Sequence, residues 1–424
     1  MLPKRRARLA DPTMEARVDA EGRLVMPPEL AARLGLQPGA RVVVEQDGRG
    51  LRLRRPVTQL AKLYIEPTNR CNLACRTCLR NTWDEPLGRM SEATFARIMD
   101  GLAAFSPPPL VFFGGLGEPL THPHIMEMVA AAKALGSAVE LITNGMLLTQ
   151  ELSRRLIAAG LDCLWVSLDG ARPESYVDVR LGAALPEVLA NINGFRASRP
   201  QGHRPTPEIG IAFVAMKRNI ADLPDLIRLG NRLGASRFMV TNVLPYTAEL
   251  RDEVLYSRTL SSITYLPSPW VPHLSLPKLD IDDRTWDALY QALRGGRNVT
   301  FAGSNLGLVN DRCPFVESGA AAVGWDGRFS PCLPLLHDHT SFLGQRERIS
   351  THFSPGNVTD VSLSDLWEAP VHQAFRERVQ RFEFSPCTCC GGCDLSLRNK
   401  EDCFGNTFPT CGGCLWAQGI VQCP

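Results

Sequence analysis

The chain has 424 residues, of which 44% are hydrophobic and 21% are charged, and its formal net charge is +2. This composition excludes an intrinsically disordered chain, and the small net charge excludes a global electrostatic field that would gather nucleic acid. The length predicts several domains rather than one core.

Two further features of the sequence bear on location and chemistry. No stretch reaches the roughly 18 apolar residues of a membrane helix, and the basic first ten residues lack the apolar core of an export signal, so we predict a cytoplasmic protein without a membrane partner. Ten of the fourteen cysteines lie between Cys313 and Cys423. Because disulfide frameworks are typical of short secreted proteins, this cluster indicates metal ligation.

Residues 1–56 form the first predicted domain, a compact β-rich module. Short strands are predicted at 16–18, 24–26, 41–45 and 50–54, with a helix at 29–34. Segments 18–27 and 34–39 resemble the AbrB-type swapped-hairpin domain. The resemblance implies that two copies interleave into a homodimer, and it allows contact with DNA.

The charge of residues 1–56 leaves two interpretations of this module open. The segment holds 12 Lys or Arg and 7 Asp or Glu, a local charge of +5. Under the DNA interpretation, Arg17, Arg23 and the basic arm at 4–8 contact phosphates. Under the alternative, which we favour, the module serves only for dimerisation or substrate docking and these side chains are solvated surface charges.

Residues 57–245 alternate short apolar runs with amphipathic stretches. Strands are predicted at 62–67, 110–113, 138–142, 163–167, 208–214 and 237–241, with helices such as 91–105 and 223–233 between them. This alternation predicts an α/β fold, a partial (β/α)6 barrel with a parallel sheet and right-handed crossovers. Active-site groups are then expected in the loops that follow the strands.

The loop after the first predicted strand carries Cys71, Cys75 and Cys78 in a C-x3-C-x2-C spacing. Three thiolates can hold three irons of a [4Fe-4S] cluster and leave the fourth iron open to another ligand. A structural zinc site, by contrast, normally closes its shell with four protein ligands. The spacing therefore indicates an open, reactive cluster.

This loop and those after the next three strands resemble the radical S-adenosylmethionine superfamily, in the same chain order. The resemblance implies a catalytic cluster at the three cysteines and bound S-adenosylmethionine. The implied cofactor-binding residues are Gly114, Gly115, Gly117, Glu118, Asn144, Ser167, Asp169 and Arg180. In this assignment the glycines admit the methionine end of the cofactor, and Glu118 offers a counter-charge to its ammonium group.

Several of these assignments have plain alternatives. Asn144 and Asp169 each precede a glycine and also fit ordinary tight turns, and Arg180 also fits an exposed helix residue. The family usually has an aromatic residue before its third cysteine, where this chain has Thr77. Trp83 either supplies apolar cover in place of that aromatic residue or is simply a packing residue.

The remaining residues divide into an insertion at 246–300 and a cysteine-rich domain at 301–424. The insertion loses the β/α rhythm, and we predict that it caps the barrel mouth. The cysteine-rich domain resembles the SPASM extension, which implies one or two auxiliary [4Fe-4S] clusters. Candidate ligands are Cys313, Cys332, Cys387, Cys390, Cys393, Cys403, Cys411, Cys414 and Cys423.

The grouping of these ligands stays open, because the middle spacing C-x-C-C-x2-C departs from the SPASM pattern. The alternative is one or two zinc ribbons built from Cys390 with Cys393 and Cys411 with Cys414. Cys163 lies in an apolar strand and is predicted to be a buried core thiol.

The radical S-adenosylmethionine resemblance implies reductive cleavage of the cofactor to a 5′-deoxyadenosyl radical, with a reductant such as ferredoxin or flavodoxin as a partner. Segments 75–83 and 405–416 resemble maturases of tungsten-containing aldehyde ferredoxin oxidoreductases, which implies that the substrate is such an oxidoreductase or its cofactor. The runner-up is a peptide-modifying maturase. A third alternative is an iron–sulfur DNA-binding redox sensor, although a sensor would need no cofactor-binding loops.

Overall fold

The structure is a computed structural model that describes residues 16–28, 43–47, 50–54, 59–200, 202, 205–257, 273–294, 298–301, 313–388 and 393–424. The chain divides into two compact units, Met1–Pro56 and Val57–Pro424. No helix within the described residues is both long enough and apolar enough to cross a bilayer.

The first unit contains two small antiparallel strand pairs. Its strands are β1 (Arg17–Val18), β2 (Leu24–Val25), β3 (Val43–Asp47) and β4 (Gly50–Arg54). The turn between the first two strands is closed by the Asp19 carboxylate, which accepts the backbone N–H groups of Glu21 and Arg23 at 3.1 and 2.8 Å. Gly22 adopts a φ of +78°, a conformation that favours glycine. The helix predicted at 29–34 lies outside the described residues.

The second unit begins with six parallel strands that are neighbours in chain order. They are β5 (Lys62–Ile65), β6 (Leu110–Phe113), β7 (Val139–Thr143), β8 (Cys163–Ser167), β9 (Glu208–Ala215) and β10 (Arg237–Asn242). The intervening helices are α1 (Glu92–Leu102), α2 (Ile125–Ala134), α3 (Gln150–Ala158), α4 (Pro173–Val179), α5 (Leu185–Ser198) and α6 (Leu223–Arg232). The predicted β/α barrel is confirmed.

The segment predicted as a capping insertion at 246–300 differs from that prediction where the structure describes it. It contains α7 (Ala248–Asp252), β11 (His273–Leu276), α8 (Trp286–Arg294) and β12 (Asn298–Phe301). Strands β11 and β12 extend the sheet in parallel beyond β10. The sequence between α7 and β11 is rich in Pro and Ser at 261–272, which interrupts the apolar pattern. The β/α rhythm therefore continues beyond the point where the sequence indicated its end.

The C-terminal region continues the same sheet from its other side. Its elements are α9 (Pro314–Glu317), β13 (Ala320–Val323), β14 (Arg328–Ser330), β15 (His339–Leu343), β16 (Arg346–Ser350), β17 (Gly356–Asn357), α10 (Leu363–Glu368) and α11 (Pro370–Arg381). Strand β13 pairs in parallel with β5 and antiparallel with β14. Within the described residues, the sheet order is β12-β11-β10-β9-β8-β7-β6-β5-β13-β14-β17.

The alternation of side chains along the barrel strands separates two apolar layers. Leu63 and Ile65 of β5 pack in the layer that contains the helices. Tyr64, between them, packs in a second layer with C-terminal residues such as Phe315 and Trp416. Cys163 belongs to this second layer and is 1% exposed, which confirms the predicted buried thiol. The C-terminal region therefore covers the face of the sheet that the helices leave free.

Candidate active site and cysteine cavity

A cavity of about 260 Å³ lies where the loops after the first barrel strands meet. Of the residues implied by the family resemblance, it is lined by Cys71, Cys75, Cys78, Gly115, Gly117, Glu118, Asn144, Ser167 and Arg180. Loops that are far apart in the sequence converge here because the carboxyl ends of parallel strands share one edge of the sheet.

The backbone of the cysteine loop forms hydrogen bonds with two other parts of the second unit. The N–H group of Arg76 donates to the carbonyl of Val179 at 2.9 Å, and the Tyr246 hydroxyl donates to the carbonyl of Arg76. Within the loop, the N–H group of Cys78 donates to the carbonyl of Cys75 at 3.1 Å. These contacts position the three thiols without using their sulfur atoms.

Two guanidinium groups approach the thiols directly. Arg80 Nε lies 3.4 Å from Cys78 Sγ, and Arg180 Nη1 lies 3.7 Å from Cys75 Sγ. Burial raises the pKa of the Cys75 thiol, and the nearby Arg180 charge opposes that rise. A set of three thiols with two cations beside them fits an anionic thiolate cluster, because the cations offset the charge that binding would bury.

The glycine-rich loop packs against the backbone of the cysteine loop. A Cβ atom on Gly117 would lie 1.9 Å from the Thr68 carbonyl oxygen, and one on Gly115 would lie 2.7 Å from the Glu66 side chain. Gly114 lies against the side chains of Phe112 and Ile142. The glycines are therefore required by the protein's own packing, in addition to any approach by a cofactor.

Glu118 lines the cavity and also links two loops of the barrel. It is 2% exposed, and its two carboxylate oxygens accept hydrogen bonds from Thr143 Oγ1 and from the backbone N–H group of Asn144, both at 2.7 Å. It thereby joins the glycine-rich loop to the loop after β7. Asn144 Nδ2 in turn donates to Asn72 Oδ1 at 2.8 Å, and it lies 3.7 Å from Cys71 Sγ.

Asp169 is not among the residues that line the cavity, but it contacts Arg180, which is. It is fully buried, and its carboxylate accepts hydrogen bonds from Arg180 Nε at 2.6 Å and from the backbone N–H group of Val214 at 2.7 Å. Arg180 itself lines the cavity and is well buried, so it is not the exposed helix residue of the alternative interpretation. Ser167 lines the cavity at the end of β8.

The sequence interpretation missed part of the cavity wall. Thr241 and Asn242 at the end of β10, together with Leu244, Trp416 and Val421, also line it. Thr241 and Asn242 could have been predicted from their position at the end of a strand. Trp416 could not, because its place in the cavity wall depends on how the C-terminal region folds. Trp83 packs on His337, with ring centroids 4.4 Å apart, which is the packing role considered for it.

A second, smaller cavity of about 40 Å³ lies in the C-terminal region and brings four of the predicted ligands together. It is lined by Cys313, Cys332, Cys411 and Cys414. Burial raises the pKa of each thiol, that of Cys313 to about 12. Because metal binding requires thiolates, these buried thiols need a cation in the cavity to hold them deprotonated.

The other predicted ligands do not line this cavity in the described part of the chain. Cys393 and Cys403 are exposed, and Cys387 Sγ lies 3.1 Å from Ser385 Oγ. Burial raises the pKa of Cys423 to about 11. Cys390 lies outside the described residues. Over the described ranges, no three His, Cys, Asp or Glu side chains have the spacing needed to hold a single metal ion.

Two family models match the chain. Residues 65–206 match the radical SAM superfamily, and residues 313–394 match an iron–sulfur cluster-binding domain, SPASM. The first match includes the cysteine loop, the glycine-rich loop and Arg180 of the larger cavity. The second covers Cys313 and Cys332 of the smaller one.

Individual proteins resemble the chain over most of its length. The tungsten-containing aldehyde ferredoxin oxidoreductase cofactor-modifying protein of Pyrococcus furiosus is 32% identical over 85% of this chain and 96% of its own. PqqA peptide cyclase of Gluconobacter oxydans is 25% identical over 82% of this chain and 89% of its own.

A solved structure has the same fold. Streptococcus suis SuiB bound to S-adenosylmethionine superimposes with a TM-score of 0.52 and 15% identity, covering 79% of this chain and 71% of its own. The chain therefore belongs to the radical SAM superfamily as an enzyme with iron–sulfur clusters and S-adenosylmethionine as its cofactors and a SPASM domain after its barrel.

Proposed function

We propose that this enzyme is a maturase that modifies a protein or a protein-bound cofactor, and that a tungsten-containing oxidoreductase or its cofactor is its substrate. The observation that carries the proposal is the alignment with the P. furiosus cofactor-modifying protein over 96% of that protein's length. A peptide substrate is the second candidate, favoured by the alignment with 89% of the PqqA peptide cyclase.

In this proposal, Cys71, Cys75 and Cys78 hold the catalytic cluster. Such a cluster, when bound, supplies the electron for reductive cleavage of S-adenosylmethionine to a 5′-deoxyadenosyl radical. Ferredoxin or flavodoxin is the proposed class of reductant. The chain's own contribution is to position the cofactor and the substrate and to exclude water.

Arg180 is the proposed partner of the carboxylate of the cofactor. Its guanidinium lines the cavity, and Asp169 orients it from behind through a 2.6 Å hydrogen bond. A buried, preoriented cation binds an anionic group with little loss of side-chain entropy. Leu244, Trp416 and Val421 line the same cavity and offer apolar surface that excludes water from the reacting groups.

We assign one auxiliary cluster to the four cavity thiols of Cys313, Cys332, Cys411 and Cys414. Their side chains line one enclosed space, and a buried arginine faces them there. The zinc-ribbon alternative divides these residues differently, because it pairs Cys411 and Cys414 without the other two. The remaining candidates for a second cluster are Cys387, Cys390, Cys393, Cys403 and Cys423.

For residues 1–56 we propose an AbrB-like dimerisation module without DNA-binding function. The apolar side chains of Val18, Leu24 and Val25 are 69%, 46% and 50% exposed, which leaves surface for a second copy to cover. Arg23, one of the candidate phosphate ligands, pairs with Asp19 and Glu21 at 2.7 and 2.6 Å. These carboxylates offset the positive charge that DNA binding would use.

The test of catalysis is anaerobic reconstitution followed by assay for 5′-deoxyadenosine. The wild type should form it, and the triple variant Cys71→Ala, Cys75→Ala, Cys78→Ala should form none while it retains iron in the C-terminal region. Continued 5′-deoxyadenosine formation by the triple variant would contradict the catalytic assignment. Iron content falling to zero would contradict two separate cluster regions.

The substrate is tested by adding a tungsten-containing aldehyde ferredoxin oxidoreductase to the reconstituted enzyme. The expected result is faster 5′-deoxyadenosine formation and a mass change in the oxidoreductase or its released cofactor. Modification of an added peptide, with the oxidoreductase unchanged, would favour the second candidate. A sequence-selective DNA footprint without 5′-deoxyadenosine formation would favour the redox-sensor alternative.

A further inference from the structure

The smaller cavity contains a buried cation whose role the cysteine motifs do not explain. Arg348 lies in the middle of β16, opposite Ser341 of β15, and it is 3% exposed. Its side chain lines the cavity together with the four thiols. One terminal nitrogen, Nη1, donates a hydrogen bond to the carbonyl of Ser396.

Within the described residues, no Asp or Glu oxygen lies within salt-bridge distance of Arg348. His339, which lines the same cavity, has its pKa lowered to about 4 by burial, so it is neutral at neutral pH. A buried charge without a counter-charge is unfavourable, so the position of Arg348 points to an anionic occupant of the cavity.

Among the described residues, the acidic groups that act on the charge of Arg348 are cysteines. Burial lowers the pKa of Arg348, and the thiolate forms of Cys414, Cys387 and Cys411 oppose that effect. Gly413 lies between the two cysteines of the CGGC segment, and its lack of a side chain lets the Arg348 guanidinium lie against the backbone. A Cβ atom on Gly413 would lie 2.8 Å from Arg348 Cζ. The guanidinium therefore packs directly against the chain that carries two of the four proposed ligands.

We propose that Arg348 sets the reduction potential of an auxiliary iron–sulfur cluster held by Cys313, Cys332, Cys411 and Cys414. This inference rests on the cluster assignment in the proposed function. One-electron reduction adds a negative charge to a cluster that four thiolates already make anionic. A buried guanidinium stabilises the reduced state more than the oxidised state, and it thereby raises the potential.

The test uses the full chain in the background of the Cys71→Ala, Cys75→Ala, Cys78→Ala variant, which removes the signal of the catalytic cluster. Arg348→Gln, Arg348→Lys and Glu347→Gln are reconstituted anaerobically and titrated with a reductant while the cluster is followed by electron paramagnetic resonance. Glu347 is the matched control, because it is the exposed neighbour on the same strand.

The reference is the midpoint potential of the background protein that keeps Arg348. At that potential, we expect the ratio of reduced to oxidised cluster in Arg348→Gln to fall at least tenfold. That corresponds to a midpoint about 59 mV more negative for a one-electron couple. The midpoint potential of Arg348→Lys should lie close to that of the background protein, since lysine keeps the positive charge. Glu347→Gln should leave the midpoint potential unchanged. An unchanged midpoint in Arg348→Gln, with iron and sulfide retained, overturns the proposal.

Loss of the cluster is also informative. If Arg348→Gln loses iron and Arg348→Lys retains it, the charge requirement is supported; equal loss in both variants overturns it in favour of a packing role. If the background protein binds zinc or no iron, the cluster assignment itself fails and the proposal fails with it. Catalysis is judged separately, by 5′-deoxyadenosine formation in the enzyme with intact Cys71, Cys75 and Cys78.

Discussion

His337 Nε2 lies 2.9 Å from Glu66 Oε2, and this contact joins the C-terminal region to the end of the first barrel strand. The other ring nitrogen, Nδ1, lies 2.8 Å from Glu85 Oε2. Glu66 also accepts the backbone N–H group of Leu116 at 2.9 Å, so the same carboxylate supports the glycine-rich loop. A histidine outside the barrel is thus linked to the glycine-rich loop through one carboxylate.

The stability of the protein should depend on the protonation of His337. Burial alone would lower its pKa, but the hydrogen bonds to Glu66 and Glu85 outweigh burial and raise it to about 9. A raised folded-state pKa stabilises the protein fully below the unfolded value of about 6.5, and this contribution is lost as pH rises through 9. The loss is on the order of 3 kcal/mol.

Denaturant unfolding of the anaerobic apoprotein between pH 6 and pH 10 measures this effect. The free energy of unfolding of His337→Gln should fall less steeply than that of the wild type between pH 6.5 and 9. His352→Gln is the control, because His352 is exposed and pairs with the exposed Asp338. Parallel profiles for the wild type and His337→Gln would disprove the linkage.

Asp169→Asn should impair the enzyme through Arg180. The amide can accept a hydrogen bond from Arg180 or from the Val214 N–H group, but its amino group then faces the other donor. Loss of such an orienting partner typically costs about 10- to 100-fold in activity or affinity. We expect most of the effect in the KM for S-adenosylmethionine, measured by 5′-deoxyadenosine formation.

Asp225→Asn is the control for this variant, since Asp225 forms a surface pair with Arg228 away from the cavity. Its KM for S-adenosylmethionine should equal that of the wild type. If the KM of Asp169→Asn also equals that of the wild type, Arg180 does not depend on Asp169 for its orientation.

Gly117→Ala should destabilise the cysteine loop, because the added Cβ atom would lie 1.9 Å from the Thr68 carbonyl oxygen and the backbone must shift. Overpacking of this kind costs roughly 1–3 kcal/mol in the free energy of unfolding. Gly194→Ala, within α5, has no heavy atom within 4 Å of the added atom and should stabilise the protein by up to about 1 kcal/mol. Denaturant unfolding of both variants compares them, and equal midpoints would contradict the packing argument.

Removal of residues 1–56 should convert a dimer into a monomer. The apolar side chains of Val18, Leu24 and Val25 are exposed, and in the proposed dimer a second copy of the module covers them. Light scattering gives the molar mass directly, and a Val18→Ser, Val25→Ser variant of the full chain should also dissociate. An unchanged mass after truncation would show that the dimer contact lies elsewhere or that no dimer forms.

The sequence predicted the barrel well and the supporting residues of the site poorly, for physical reasons. Strand β8 has the predicted bounds because its apolar run is continuous. Strands β11 and β12 were missed because the Pro- and Ser-rich stretch at 261–272 interrupts the apolar pattern before them. The motif position of Asp169 does not reveal that its carboxylate accepts a hydrogen bond from Arg180, because the two side chains meet only in the folded barrel. Arg348 carries no motif, and only the pairing of β15 with β16 brings it to the cysteines.

The pairing of β13 with β5 has a consequence for synthesis of the chain. Ala320–Val323 is the strand that covers the outer edge of Lys62–Ile65 in the sheet. On the ribosome, the strand that precedes the cysteine loop therefore keeps an open edge until residue 323 has emerged. An open strand edge invites pairing with other chains. Chaperone binding during this interval would protect the nascent barrel, and a chain that stops before residue 320 should aggregate instead of folding.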